Sequence, residues 1–350
     1  MPQTPDWPTL IGALLAGRDL KVAEATWAME RVMTGEVPAA TLAGFLVALR
    51  AKGETVDEIV GFRDAVLANA RPLPLPVRAL DVVGTGGDGF RTVNISTMAA
   101  LVVAACGVPV SKHGNRAASS SSGASDVLGA LGVALDLDGD GLARVFGEVG
   151  FTFVFASAFH PGFRHAAEAR SALGVPTVFN FLGPLVHPAR PDANVIGVAS
   201  ASAVPLITGV LQTRGATALV VRSDDGMDEL STTGHSRIRE VSAGAVNEHD
   251  VHPGDVGLPT ATIDDLRGGS PAENAAVVRR VLAGEGGPVR DVVLLNAAAG
   301  LVAWDLYEDP LAAERPMAAR LRAGVERAAG AIDSGAAAAK LEQWVAATRA

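Results

Sequence analysis

Four glycines fall within the six residues Gly84-Thr85-Gly86-Gly87-Asp88-Gly89, directly after the apolar run ALDVV. Glycine loses more backbone entropy on ordering than any other residue, so this density serves neither helix nor strand and marks main chain that must come close to something. Gly84, Gly86 and Gly89 satisfy G-x-G-x-x-G, but a dinucleotide site also needs an acidic residue about 20 positions on. No Asp or Glu lies between Gly89 and Ser125. A nucleoside triphosphate loop would close on Lys followed by Ser or Thr, and this loop has no such Lys. A turn needing positive φ explains one or two glycines, not four beside a Thr and an Asp. The reading that remains is a nest of backbone N–H groups aimed at phosphate.

Three further stretches extend that chemistry. Asn94-Ile95-Ser96-Thr97 stands immediately before the apolar run MAALVVAACG, and a helix N-terminus attracts anions, although plain N-capping by Ser96 or Thr97 is the commoner use of such residues. Lys112-His113-Gly114-Asn115-Arg116 is followed by two alanines and four serines, Ser119 to Ser122, an unusual density of small donors beside two cations. Asp224-Asp225-Gly226-Met227-Asp228-Glu229 follows the strand-like TALVVRS. Alone it reads as a solvated turn. Beside a phosphate cradle it suggests Mg²⁺, which is usually held by one or two carboxylates together with substrate phosphates and water.

The elements that must position these residues can be read from pattern. With 350 residues, 49% of them hydrophobic, the chain can bury a large core and divide into two units. Aromatics are only 5% and alanine is abundant, which predicts helices packed through small side chains and no stacking platform for nucleic acid. The net charge of -9 argues against a polyanion held by bulk electrostatics. Cys106, the single cysteine, lies in an apolar run and reads as core, as in a reducing compartment. The N-terminal stretch lacks a secretory pattern and no run of about 18 apolar residues occurs, so a cytoplasmic protein without a membrane partner is expected.

Residues 8–70 carry four helical patterns, most closed by glycine. Thr55 and Glu58 suit a capping box at the start of the last one. Arg71-Pro72-Leu73-Pro74-Leu75-Pro76 cannot continue a helix, and the boundary is placed there: a small N-terminal helical bundle, residues 1–72, and a larger α/β unit, residues 73–350. Beyond it ALDVV, GVPVSK, FTFVFA, NVIGVAS, TALVVRS and DVVLLN read as strands, alternating with helices such as Ser125–Leu131 and Val204–Leu211. That alternation predicts a mostly parallel sheet covered by helices, with ligands beyond the carboxyl ends of its strands. The alanine-rich tail, residues 323–350, reads as two surface helices.

In order, GTGGD (84–88), NIST (94–97), KHGNRAASS (112–120), HPGFRHAAEAR (160–170), PTVFNFLGPL (176–185) and DGMDE (225–229) closely resemble the anthranilate phosphoribosyltransferase family. The bundle ending in ALRAKGET looks like that family's too. The resemblance implies transfer of phosphoribosyl from 5-phosphoribosyl 1-diphosphate to the amine of anthranilate, with release of pyrophosphate, in tryptophan biosynthesis. It also implies the nucleoside phosphorylase-like fold, a homodimer built through the helical unit, and Mg²⁺. Carried over position by position, the donor contacts are Gly84, Gly87, Asp88, Thr92, Asn94, Ile95, Ser96, Thr97, Lys112, His113, Gly114, Asn115, Arg116, Ser119, Ser120 and Ala124. The metal positions are Ser96, Asp228 and Glu229. The anthranilate contacts are Gly84, His113, Asn115, His160 and Arg170. An aniline-type amine is neutral at physiological pH, so no general base is assigned. Two positions depart from the family's pattern: His187, where Asn is frequent, and Glu168-Ala169. A pyrimidine nucleoside phosphorylase would share the plan, but KHGNR and DGMDE favour the transferase. A nucleic-acid-binding relative would need a basic groove, which the acidic balance opposes.

Overall fold

The structure, a computed structural model, describes residues 5–75, 78–115 and 123–350. Four helices come first: α1 (Trp7–Leu15), α2 (Val22–Thr34), α3 (Ala39–Lys52) and α4 (Val56–Ala68). Their ends follow local chemistry. Glu24 accepts from the Lys21 amide at the head of α2, which closes at Gly35 with φ 78°. The expected capping box on α4 is present: Thr55 N–H donates to Glu58 Oε2 at 2.8 Å, and Thr55 Oγ1 accepts from Glu58 N–H at 3.4 Å. Glu58 is fully buried and also accepts from Leu20 N–H at 2.8 Å and from Lys52 Nζ at 3.1 Å. One carboxylate thus ties α4 to the end of α3 and the start of α2.

The bundle does not close on itself. Leu10, Phe45 and Phe62 share one hydrophobic core with Ala166, Val178, Phe181 and Leu182, and with Val83, Ile196 and Val220 on one face of the sheet. Segments from beyond the Pro-rich link therefore complete the helical layer.

The sheet has seven strands, β1 (Leu80–Gly84), β2 (Val110–Gly114), β3 (Phe151–Phe155), β4 (Ala193–Gly197), β5 (Thr217–Ser223), β6 (Ser236–Ser242) and β7 (Ala245–Val251), in the order β3-β2-β1-β4-β5-β6-β7. The first five are parallel and the last two antiparallel. Helices α5 (Ile95–Ala105), α6 (Ala124–Leu131), α7 (Gly139–Val149), α8 (Ala156–Phe159), α9 (Ala167–Leu173), α10 (Phe179–Leu182) and α11 (Ala203–Thr213) lie in the connections, and α12 (Pro271–Leu282), α13 (Pro288–Glu308), α14 (Met317–Asp333) and α15 (Ala336–Arg349) follow.

Two expectations need revision, and one element had no sequence signal. DVVLLN is not a strand but the start of α13, buried along Val292 to Ala299; a continuous apolar run looks alike in a buried strand and in a buried helix. The β6–β7 hairpin was not expected. Its turn, Ala243-Gly244, has φ of 49° and 79°, so both residues are left-handed as a two-residue hairpin of this hand requires. The tail helices are packed rather than superficial: Trp344 is 1% exposed and meets Phe151 edge-on at 4.5 Å, and a Cβ on Gly324 would lie 2.9 Å from Ala298.

One seam in the sheet is irregular. β1 and β2 pair at Leu80↔Val110 only, whereas β1 and β4 pair along five positions. Further along, side chains replace the ladder: Asp81 Oδ1 accepts from His113 N–H at 2.9 Å and Lys112 Nζ donates to the Val82 carbonyl at 2.5 Å.

Candidate functional site

β1, β4 and β5 all end at one edge of the sheet, and the acidic turn after β5 folds back over the ends of the other two. Small residues make this possible. A Cβ on Gly197 would lie 1.5 Å from the Asp228 carbonyl oxygen, and one on Gly84 would lie 2.2 Å from Asp228 Oδ2. Gly86 N–H donates to that same carboxylate oxygen at 2.6 Å. Gly86, Gly87 and Gly89 have φ of 70°, 83° and 81°, a backbone that L side chains rarely adopt. On its far side the turn is clamped by Asn296, whose Oδ1 accepts from Leu230 N–H and whose Nδ2 donates to the Leu230 carbonyl. Asp225, which accepts from Ser223, Thr233 and the Met227 amide, braces the turn from within.

The result is a cluster of three acids. Asp88, Asp228 and Glu229 each offer a carboxylate oxygen, all within 4.8 Å of one another. Burial pushes Asp228 up to about 7, with the charge of Asp88 adding to the effect. Burial, then Asp228 and Asp88, push Glu229 well up. The facing cation is Lys112, 2% exposed, which also donates to Ser96 Oγ at 3.2 Å. Burial lowers its pKa, while Asp81, Glu229 and Asp228 oppose that shift. One ammonium does not balance these acids, and an oxygen-only donor set of this density suits a hard divalent cation. Asp88, expected among the donor contacts, thus stands with the metal-type residues, and Ser96 lies beside them with its amide supporting Glu229.

The strand-to-helix segment before α5 is strapped from outside. Thr92 bridges Arg267, Gly268 N–H donates to the Arg91 carbonyl at 2.8 Å, and Asn274 Nδ2 donates to Asn94 Oδ1 at 3.0 Å. Arg91 holds φ 57° here, an uncommon conformation for a non-glycine residue and one that recurs at functional loops. Asn274 is a positioning group that sequence reading missed, because its only signal lies in a helix 180 residues away. Ile95 is fully buried in the α/β core with its amide committed to the Val93 carbonyl, and Thr97 is 1% exposed. Gly114 packs against the Phe153 ring, Asn115 Oδ1 accepts from Ser157 Oγ at 2.8 Å, and Ala124 begins α6. Arg116, Ser119 and Ser120 lie outside the described residues.

A wall of ring contacts runs from His187 and His113 to Phe179. His113 lies 5.1 Å from His187 and 5.6 Å from His160, His160 lies 5.4 Å from Phe163, and Phe163 lies 5.7 Å from Phe179. The Arg170 guanidinium sits 5.3 Å over the Phe179 ring. Arg170 makes no ion pair among the described residues. His187, the departure from the family's pattern, is fully engaged: Nδ1 accepts from Ala189 N–H at 3.1 Å, which leaves Nε2 to carry the proton and donate to the Ser111 carbonyl at 2.9 Å. It braces β2 from behind.

Burial pushes His187 down to about 3, His160 down to about 4 and His113 well below 6.5. All three stay neutral in the fold, so below pH 6.5 the unfolded chain binds the extra protons. The stability they confer is complete above that pH and is lost as pH falls toward the folded values. Between pH 6.5 and 5.5 each ring is expected to lower the unfolding free energy by about 1 kcal/mol, against an opposing gain from Asp81 and Asp228, which burial pushes up to about 7, and from Glu229, pushed well up, because the fold there keeps protons that the unfolded chain has released. Urea melts of the parent and of His187→Asn at the two pH values isolate one ring: the variant should gain about 1 kcal/mol on the parent as pH falls from about 6.5 to about 5.5, and an unchanged difference would refute the account.

A cavity of about 330 Å³ opens beside the glycine loop, lined by Gly86, Gly87 and Asp88 on one side and by Thr177, Asn180 and Arg50 of α3 on the other. Arg50 belongs to the ALRAKGET stretch and had drawn no role from the sequence.

Comparison with known proteins matches this arrangement in both of its parts. The family model described as "Glycosyl transferase family, helical bundle domain" covers residues 8–70, and that described as "Glycosyl transferase family, a/b domain" covers residues 77–338. The anthranilate phosphoribosyltransferase of Leifsonia xyli subsp. xyli is 65% identical over 349 residues, which is 100% of both chains. The solved structure of that enzyme from Thermus thermophilus is similar with a TM-score of 0.89, at 44% identity over 97% of this chain and 99% of its own. The Saccharomyces cerevisiae enzyme, solved in complex with PRPP and Mg, is similar with a TM-score of 0.88, at 27% identity over 98% of each chain.

Proposed function

This chain belongs to the anthranilate phosphoribosyltransferase family, and from that premise we propose how its residues divide the work. The reaction moves phosphoribosyl from 5-phosphoribosyl 1-diphosphate to the amine of anthranilate and releases pyrophosphate, a step of tryptophan biosynthesis. The observation that carries the assignment of residues is the acid cluster Asp88, Asp228 and Glu229 closing over the left-handed glycine loop beside buried Lys112.

As the C1–oxygen bond breaks, positive charge develops on the ribose and negative charge on pyrophosphate, while the amine nitrogen forms the new bond to C1 and then loses a proton to solvent. Catalysis is then largely positioning and charge stabilisation. Mg²⁺, which the oxygen donors suit, neutralises charge on the diphosphate when bound; Asp88, Asp228 and Glu229, with Ser96 alongside, are its proposed holders. The amides of the glycine loop, Asn94, Thr97 and Lys112 orient the donor, as do Gly84, Thr92, Gly114, Arg116, Ser119, Ser120 and Ala124 in the family's pattern. Ile95 could contribute only through its backbone. Asn115, His113, His160 and Arg170 face the acceptor, and the planar Arg170 fork suits a carboxylate. The neutral amine carries its own lone pair, so no residue is given the role of general base.

Division into units 1–72 and 73–350 is supported by the two family models meeting on either side of the Pro-rich link. A homodimer through the helical unit is supported by Leu15, Val22 and Val47, exposed by 74%, 37% and 46% on α1 to α3. We place the protein in the cytoplasm, in keeping with its single cysteine, and no helix among the described residues is long and apolar enough to cross a membrane.

The test is the loss of anthranilate fluorescence on mixing purified protein with anthranilate, 5-phosphoribosyl 1-diphosphate and Mg²⁺. Loss that needs both donor and metal is expected. No loss from folded, donor-binding protein would mean a different acceptor.

A further inference from the structure

The ring of Phe179 is the platform on which the Arg170 guanidinium rests, and nothing else among the described residues offers that guanidinium an opposite charge. We propose that Phe179 is a positioning residue for acceptor recognition: its ring face holds the Arg170 fork in the orientation that meets the acceptor's carboxylate. The inference rests on the reading that Arg170 grips that carboxylate.

Arg170 stands on α9, a helix of seven residues that ends at Gly174. A long side chain on so short a support would lose most of its rotamer freedom if the ligand alone had to fix it. A cation placed over an aromatic face is held by the ring quadrupole, which constrains the charged plane without competing for its N–H donors. Those donors stay available for a bidentate partner. Burial around Arg170 meanwhile disfavours its charge with no carboxylate to offset the effect, so an incoming carboxylate finds a poorly hydrated cation.

Phe179 is itself held still. It is 9% exposed and meets Phe163 edge-on at 5.7 Å and 90°. The turn that delivers it is fixed by its neighbour Asn180, whose Oδ1 accepts from Thr177 N–H at 2.9 Å. Through Phe163 the contact runs on to His160 and His113. The guanidinium is therefore registered against the same wall that faces the acceptor ring.

The experiment replaces Phe179 by phenylalanines carrying one, two and three ring fluorines, which weaken the quadrupole at nearly constant shape, alongside Phe179→Leu, Phe179→Trp and Arg170→Ala. The KM for anthranilate should climb along the fluorine series by about fivefold in total and remain near the parent value in Phe179→Trp, while the KM for the donor stays within about twofold. A flat fluorine series with a defective Phe179→Leu would show a packing role only and overturn the inference, as would equal changes in both KM values. An Arg170→Ala enzyme with an unaltered anthranilate KM would overturn the reading beneath it; a raised KM there with a flat fluorine series removes this inference alone.

Discussion

Changing Asp228 to Asn and Glu229 to Gln together lowers kcat/KM by about a thousandfold, the roughly 4 kcal/mol expected when a metal that neutralises a leaving diphosphate is no longer held. The two changes keep shape and hydrogen-bonding capacity, so the Gly86 amide still has an oxygen acceptor at position 228. What they remove is two of the three carboxyl groups, all within 4.8 Å of one another, that can ionise around a cation. Titration of activity with Mg²⁺ should show the remaining rate requiring far more metal. Because burial and mutual repulsion raise both carboxyl groups in the free protein, the doubly neutral variant should also unfold at the same or a higher denaturant concentration than the parent. An unchanged metal titration would remove these residues from the site.

Arg170→Ala raises the anthranilate KM by about a hundredfold, since a bidentate, charge-assisted contact contributes about 3 kcal/mol. The donor KM should change by no more than about twofold. Arg170→Lys should not restore the parent value, because an ammonium offers a point charge and not a planar fork. Initial rates with each substrate varied in turn decide the matter: equal losses for donor and acceptor would mean that Arg170 supports the fold of α9 and does not grip the acceptor.

Much of this was visible in the sequence because backbone chemistry leaves local marks. The glycine loop announces itself by density, since positive φ at Gly86, Gly87 and Gly89 tolerates few alternatives. The first helix set is legible from its 3.6-residue period and from the Thr55–Glu58 box. The acid turn could be read as a candidate metal site, but the third acid could not be assigned to it: Asp88 joins Asp228 across 140 residues of chain, and only folding reveals that meeting. Asn274 and Arg50 were silent for the same reason, as both act from one element upon another. DVVLLN misled because a helix that is buried all round loses its polar stripe, and with it the period that distinguishes it from an inner strand. The β6–β7 hairpin escaped because its residues are polar: at the edge of the sheet β7 is largely exposed, and its alternation carries little apolar signal.

The irregular seam between β1 and β2 has a consequence for how freely this protein can change. In most sheets the strands are fastened by main chain, which is indifferent to sequence, and side chains at the rim can be exchanged without loosening the fabric. Here the ammonium of Lys112 and the carboxylate of Asp81 are themselves stitches. A mutation that retunes Lys112 for another ligand also opens the cloth it is sewn into, so scaffold and chemistry are inherited together. The proposed donor end of the site is thereby conservative by construction, while at the far end of the proposed acceptor wall Phe163 and Phe179 meet their neighbours through ring contacts, and a new substrate could be accommodated there at smaller structural cost.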